Sequence, residues 1–167
     1  MMQLGGASRY VASVDLIDVD ELVEKGIRCV LLDRDNTLVP RDTKEAPAAV
    51  REWLGRLRDA GIATCMVSNN FHTNQVCASA SDLGCAVVHH AMKPAPVAVQ
   101  VALVSMGVPA EQTVLIGDQL FTDMIAGNLA GVRTILVRPQ SRTDLWYTQL
   151  FRVVENAFLC GVTFEGE

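Results

Sequence analysis

From Gly26 onward the chain alternates between two apolar patterns. Short continuous runs occupy 27–32, 62–67, 85–89, 113–116 and 132–137, each four to six residues long and rich in Val, Ile, Leu or Cys. Runs of that length and kind read as strands buried on both faces. Between them lie longer segments with helical character, 47–60, 72–83, 94–106 and 120–130. The first opens on Pro47, and all are followed by a glycine: Gly61, Gly84, Gly107 and Gly131. Proline suits the first helical position, and glycine suits the left-handed residue that ends a helix. Five strands separated by four helices predict an α/β domain, a three-layer Rossmann-like fold around a central five-stranded parallel sheet. Ligands of such sheets gather beyond the carboxyl ends of the strands, so chemistry is sought just after each run.

Residues 1–26 read as an N-terminal extension with a short helix over 18–25, capped by Asp18 and stopped by Gly26. The core with the candidate chemistry is 27–137. Within 138–167, the residues Leu145, Trp146, Tyr147, Leu150, Phe151, Val154, Phe158 and Leu159 recur at a spacing that predicts an amphipathic C-terminal helix over 144–160. Such a helix either packs on its own sheet or lies on a membrane surface. Residues 1–167 together are expected to form a single domain.

Half of the residues are hydrophobic, enough for a core without metal or disulfide staples. The net charge of −5 argues against a nucleic-acid partner, which needs a basic face. A phosphorylated small molecule stays open, because a bound cation reverses the local field. Five cysteines, an odd number with no CxxC pair, read as reduced thiols. Residues 1–10 lack the basic and apolar pattern of a secretion signal, and no apolar run approaches the ~20 residues that span a bilayer. The expected location is cytoplasmic, with contact at most peripheral to the inner face of a membrane.

The first run is followed by Asp33-Arg34-Asp35-Asn36-Thr37-Leu38. Carboxylates at i and i+2 near a strand end can point to the same side. A dianionic substrate would be repelled by both unless a cation stood between them, and a hard, oxygen-ligated ion such as Mg²⁺ suits that place. Ordinary turn residues are the other reading of this segment. An EF-hand loop is excluded, since its sixth position would be Leu38 and its twelfth Lys44. Ser68, Asn69 and Asn70, after the second run, read equally as an anion site and as a helix cap. Lys93 precedes Pro94, a fixed place for an ammonium facing phosphate, although most lysines are simply solvated. His89 and His90 would point opposite ways and receive no role. After the fourth run, Gly117 permits close backbone approach and Asp118 projects from the strand tip as a second acidic ligand. Asp123, in the first helical turn, also suits a helix dipole. Each signal is modest alone; their order on successive strand ends is specific.

That order resembles the four motifs of the haloacid dehalogenase (HAD) superfamily, with DRDNTLV, VSNN, Lys93-Pro94 and GDQLFTD in turn. The wording is similar to subfamily IIIA and its YqeG-type phosphatases, which are related to phosphatidylglycerophosphate phosphatases. The resemblance implies a Mg²⁺-dependent phosphomonoesterase working through an aspartyl-phosphate. It implies Asp33 as nucleophile and Asp35 as acid/base, with Ser68, Asn69 and Lys93 holding the phosphoryl group. Asp33, Asp118 and the carbonyl of Asp35 would surround the metal, with Thr37, Gly117 and Asp123 in support. Asp123 would act through water on the metal or by fixing Lys93. Arg34 fills a variable position and gains no role.

Only 34 residues lie between Asp33 and Ser68 and 24 between Ser68 and Lys93, which leaves no room for an inserted cap domain. An open site suits a bulky substrate such as a phospholipid head group, with a nucleotide, a sugar phosphate or a phosphoprotein as alternatives. A non-enzymatic phospho-accepting receiver module shares the general layout. It places its phosphorylated Asp after the third strand, where this chain has His89-His90.

Overall fold

A computed structural model describes residues 6–167. The absence of a secretion pattern over 1–10 therefore falls partly, at 1–5, outside the described residues. The core is one parallel sheet of six strands, β1 (Arg9–Val11), β2 (Cys29–Leu32), β3 (Ala63–Val67), β4 (Ala86–Val88), β5 (Thr113–Gly117) and β6 (Arg133–Val137). Their spatial order is β1-β6-β5-β2-β3-β4. The expected five-stranded sheet thus gains an edge strand from the N-terminal extension. β1 pairs with β6 through Arg9↔Ile135 and Val11↔Val137. It escapes the hydrophobic pattern because it is three residues long and buries fully only Val11.

Side chains on alternate strand positions serve opposite faces. On one face, Val30, Leu32, Met66, Val114, Ile116 and Ile135 meet Leu22, Trp53, Leu54, Leu57 and Val76. These come from the helices α1 (Val19–Glu24), α2 (Ala48–Asp59) and α3 (Thr73–Leu83). On the other, Cys29, Leu31, Cys65, Val67 and Leu115 pack on Ala98, Val99, Ala102 and Ala126 of α4 (Val97–Met106) and α5 (Ile125–Ala130). The small residues of α4 and α5 let the helices lie close to the sheet. α3 and α4 end on left-handed Gly84 and Gly107, a conformation open to glycine at little cost.

Two helices start differently from the sequence reading. α4 begins at Val97 rather than residue 94, because Pro96 disfavours helical backbone at Ala95 and Pro94 cannot join an earlier turn. The expected helix 120–130 opens with a wide π-helical turn, Leu120–Met124, before α5. The last helix, α6 (Trp146–Phe158), follows β6. It does not lay its apolar stripe on the sheet. Its buried residues are Thr148 and Glu155, whereas Trp146, Leu150, Val153 and Phe158 face outward. Beyond it the chain returns to the sheet edge, where Ala12 N–H donates to the Glu165 carbonyl (2.8 Å) and Glu165 N–H to the Tyr10 carbonyl (3.0 Å).

Candidate active site

From β2 the chain steps outward through β3 to β4, then crosses back to β5 on the other side of β2. The strand order therefore reverses between β2 and β5, the place where parallel α/β sheets bind ligands. The two strands are in register at Leu32↔Ile116, and Asp33 N–H donates to the Ile116 carbonyl at 2.9 Å. Asp33 and Asp118 consequently leave adjacent strands side by side.

Asp33, Asp118 and Asp123 are all buried, and one carboxylate oxygen from each lies within 4.8 Å of the others. Asp123 reaches this cluster through the π-helical turn, in which its Oδ2 accepts from Gln119 N–H (3.1 Å). Its carboxyl group then sits over Gly117, where any Cβ would collide with it. The glycine is required here by space. Lys93 is buried and bridges two members of the cluster, donating from Nζ to Asp33 Oδ1 (2.8 Å) and Asp123 Oδ1 (2.5 Å). Asn69 fixes its backbone in a reciprocal pair, Lys93 N–H to Asn69 Oδ1 (2.8 Å) and Asn69 Nδ2 to the Lys93 carbonyl (3.0 Å). Thr37 donates its hydroxyl to Asp118 Oδ1 at 3.1 Å.

Ser68 is buried at the end of β3, and its Oγ accepts from Asn70 N–H at 3.1 Å, so it also closes the turn. The Asp35 carboxylate stands outside the three-acid cluster. It pairs with Arg34 through Oδ1 and accepts from Asn70 Nδ2 (3.0 Å) through Oδ2, with Arg41 at 3.6 Å. The exposed His89 and His90 meet edge to face, with ring centroids 5.0 Å apart, and neither lines the cleft.

Electrostatics follow from burial. Desolvation pushes Asp33 well above the ordinary carboxylate range, against the pull of Lys93 and with further upward pressure from Asp123 and Asp118. Burial likewise raises Asp118 to about 6, opposed by Arg152. For Lys93, burial acts to lower the pKa, but the attraction of Asp123 and Asp33 prevails and holds it raised. The centre is an all-oxygen, acid-rich donor set that burial makes reluctant to stay anionic. A hard divalent cation fits such a set, since it takes carboxylate oxygens and relieves their repulsion.

Several participants carried no readable signal. Arg34 is buried, with Nε on Ser79 Oγ of α3 at 2.9 Å. Arg152 of α6 reaches back to the Asp118 carboxylate and carbonyl, to Asp144 (3.1 Å) and to Glu155 (3.3 Å). Glu155 accepts from Phe121 N–H at 3.1 Å. Asn36, in the left-handed region at φ 62°, accepts from Ser141 Oγ (2.6 Å) and donates to the Thr143 carbonyl (3.1 Å). The tie between the DxD loop and the segment entering α6 is invisible to local pattern. A cleft of about 750 Å³ opens above the acids, with Arg41, Lys44 and His72 among its polar lining and Phe71, Leu145, Tyr147 and Phe151 among its apolar lining.

A parallel sheet with this acidic switch point is the architecture of HAD hydrolases. The family model described as HAD-hydrolase-like matches residues 90–148. The chain is 34% identical over 157 residues to the probable phosphatase YqeG of Bacillus subtilis, covering 94% of this chain and 91% of that protein. It belongs to the YqeG-type phosphatases of the HAD superfamily, and is thus a hydrolase of phosphoric monoesters. It is also 29% identical over 146 residues to phosphatidylglycerophosphate phosphatase 1 of Arabidopsis thaliana, covering 81% of this chain but only 42% of that protein. Among solved structures, the cobalt-bound deoxy-D-mannose-octulosonate 8-phosphate phosphatase of Haemophilus influenzae shares the fold. Its TM-score is 0.55 at 18% identity, over 81% of this chain and 89% of that one.

Proposed function

We propose that the chain is a Mg²⁺-dependent phosphomonoesterase that works through an aspartyl-phosphate on Asp33, with a glycerophospholipid monoester of the phosphatidylglycerophosphate type as its substrate. The observation that carries the reading is the meeting of Asp33, Asp118, Asp123 and Lys93 at one strand-order reversal. Asp33, Asp118 and the carbonyl of Asp35 would hold the metal, which when bound supplies charge neutralisation for the phosphoryl oxygens. A carboxylate nucleophile divides a very slow hydrolysis into two easier displacements. An Asp33 oxygen attacks phosphorus while the P–O bond to the leaving alcohol breaks, and Asp35 gives that oxygen its proton. Asp35 then takes a proton from water, whose oxygen attacks the phosphorus of the acyl phosphate. Phosphate leaves and the Asp33 carboxylate is restored. Lys93 and Ser68 face the equatorial oxygens, with Asn69 fixing the Lys93 backbone and Asp123 its ammonium.

The lipid assignment is supported by the named activity of the Arabidopsis relative and by an uncapped cleft with an apolar wall. It carries with it a cytoplasmic enzyme acting at the inner membrane face. The test is phosphate release from p-nitrophenyl phosphate and from dispersed phosphatidylglycerophosphate, with and without Mg²⁺. Asp33→Asn should lower both rates by at least about 10³-fold in folded protein. Full activity in that variant refutes the nucleophile. Preference for a soluble sugar phosphate over the lipid removes the substrate assignment and leaves the chemistry.

A further inference from the structure

α6 is an amphipathic helix docked back to front. At 100° per residue, Thr148, Arg152, Glu155 and Leu159 share one narrow stripe, and this stripe faces the protein. It is held there by polar bonds: Arg152 to Asp118 and Asp144, and Glu155 to Phe121 N–H. The opposite arc carries Trp146, Leu150 and Val153, exposed by 78, 63 and 68%, while Phe158 lies on the flank with its ring edge-on to Phe121. The two charged residues of the helix, Arg152 and Glu155, both lie on the inward stripe, so the outward arc has no charge at all. Surface helices ordinarily do the reverse.

We infer that this outward face of α6 is a docking surface for an anionic phospholipid bilayer, which presents the substrate to the cleft; the inference rests on the lipid-phosphatase reading above. Three observations favour a bilayer over a protein partner. First, the apolar face is continuous with the catalytic cleft, since Leu145, Tyr147 and Phe151 line the cleft and are themselves exposed. A second copy or another protein seated on this arc would crowd the mouth through which substrate enters, whereas a lipid surface delivers substrate in the same plane. Second, the composition of the arc suits the interfacial zone, where aromatic rings sit at head-group level and an uncharged face sinks between acyl chains. Phe71, 75% exposed, lines the same cleft and adds an apolar contact. Third, the neighbouring cations complement anionic lipid. Lys44 lines the cleft, and Arg142 stands on the loop entering α6; both are exposed, and neither has an ion-pair partner among the described residues. Among the described residues no helix is long and apolar enough to cross a membrane, so the contact is a surface one.

The test is flotation of the full chain with vesicles of phosphatidylglycerol and phosphatidylcholine, or of phosphatidylcholine alone, read together with tryptophan emission. Trp53 is buried, so a blue shift on binding reports Trp146. Binding to the anionic vesicles with a blue shift is expected. It should fall at least about tenfold in Leu150→Glu/Val153→Glu, whose side chains lie outside the cleft. Circular dichroism and turnover of p-nitrophenyl phosphate should stay at wild-type levels in that variant. Equal vesicle binding by wild type and variant, or none by either, overturns the inference. A concentration-dependent dimer in sedimentation that the double variant abolishes, without vesicle binding, assigns the face to a second copy and likewise overturns it. Vesicle binding without turnover of any phosphomonoester would instead break the enzyme reading and leave the docking surface standing.

Discussion

Replacing Lys93 by Met isolates the electrostatic problem at the centre of the site. The ammonium lies 2.8 Å from Asp33 and 2.5 Å from Asp123, both buried. At an effective dielectric of about 20, each pair represents about 6 kcal/mol of raw attraction. Carboxylate oxygens within 4.8 Å of one another repel by at least about 3.5 kcal/mol per pair on the same scale. Attraction and repulsion are of similar size, and the lysine keeps the cluster in balance. Met fills the space of the stem but removes the charge. The acids will relieve the imbalance by taking up protons, which limits the loss to the about 3–5 kcal/mol typical of a broken buried pair. For a chain of this length that is a drop in Tm of about 6–20 °C. The assay is thermal unfolding by circular dichroism at pH 8, in chelator and in Mg²⁺. The ion should raise the Tm of the variant by more than that of the wild type, because it replaces the missing positive charge. A variant melting within about 3 °C of wild type in chelator would refute the balance.

Three further outcomes follow from the same geometry. Gly117→Ala drives a methyl group into the Asp123 carboxyl, so phosphate release should collapse with a loss of about 1–3 kcal/mol in denaturant unfolding. Arg152→Ala cuts the bolt between α6 and Asp118, and amide exchange over Trp146–Phe158 should rise while the sheet amides stay protected. Asp118 holds its proton more tightly folded than unfolded, with a folded pKa raised to about 6. Metal-free protein should therefore lose stability as pH rises through about 4 to 6 and regain it on acidification, with Asp33 acting in the same direction. Melting curves at pH 5 and pH 8 in chelator check this, and a higher Tm at pH 8 contradicts it.

The sheet and the acidic centre were legible because both depend on local pattern. Continuous apolar runs such as 27–32 admit little but a buried strand, and Asp33 and Asp118 stand directly beyond two of them. β1 was not legible, since an edge strand needs only one buried side chain, Val11, to hold its place. The spacing of α6 was readable but its facing was not. The direction depends on Arg152 reaching Asp118 and Glu155 reaching Phe121, each 34 positions away in sequence. Hydrophobic periodicity assumes that the apolar side turns inward; here polar bonds decide otherwise. Arg34 was similarly opaque, because its place depends on Ser79 of α3.

The return of the chain after α6 has a mechanical consequence. Phe164 is buried against Tyr10, and Glu165 is stitched to Tyr10 and Ala12, in and just after β1, by two backbone bonds and by a fork of contacts from Arg9. With β6 fixed on its other flank, α6 is suspended like a bridge between two abutments. Anchored at both ends, it is also tied at its middle, where Arg152 holds Asp118 and Asp144. Cutting the span at the 141–145 loop would slacken one support while leaving the other in place.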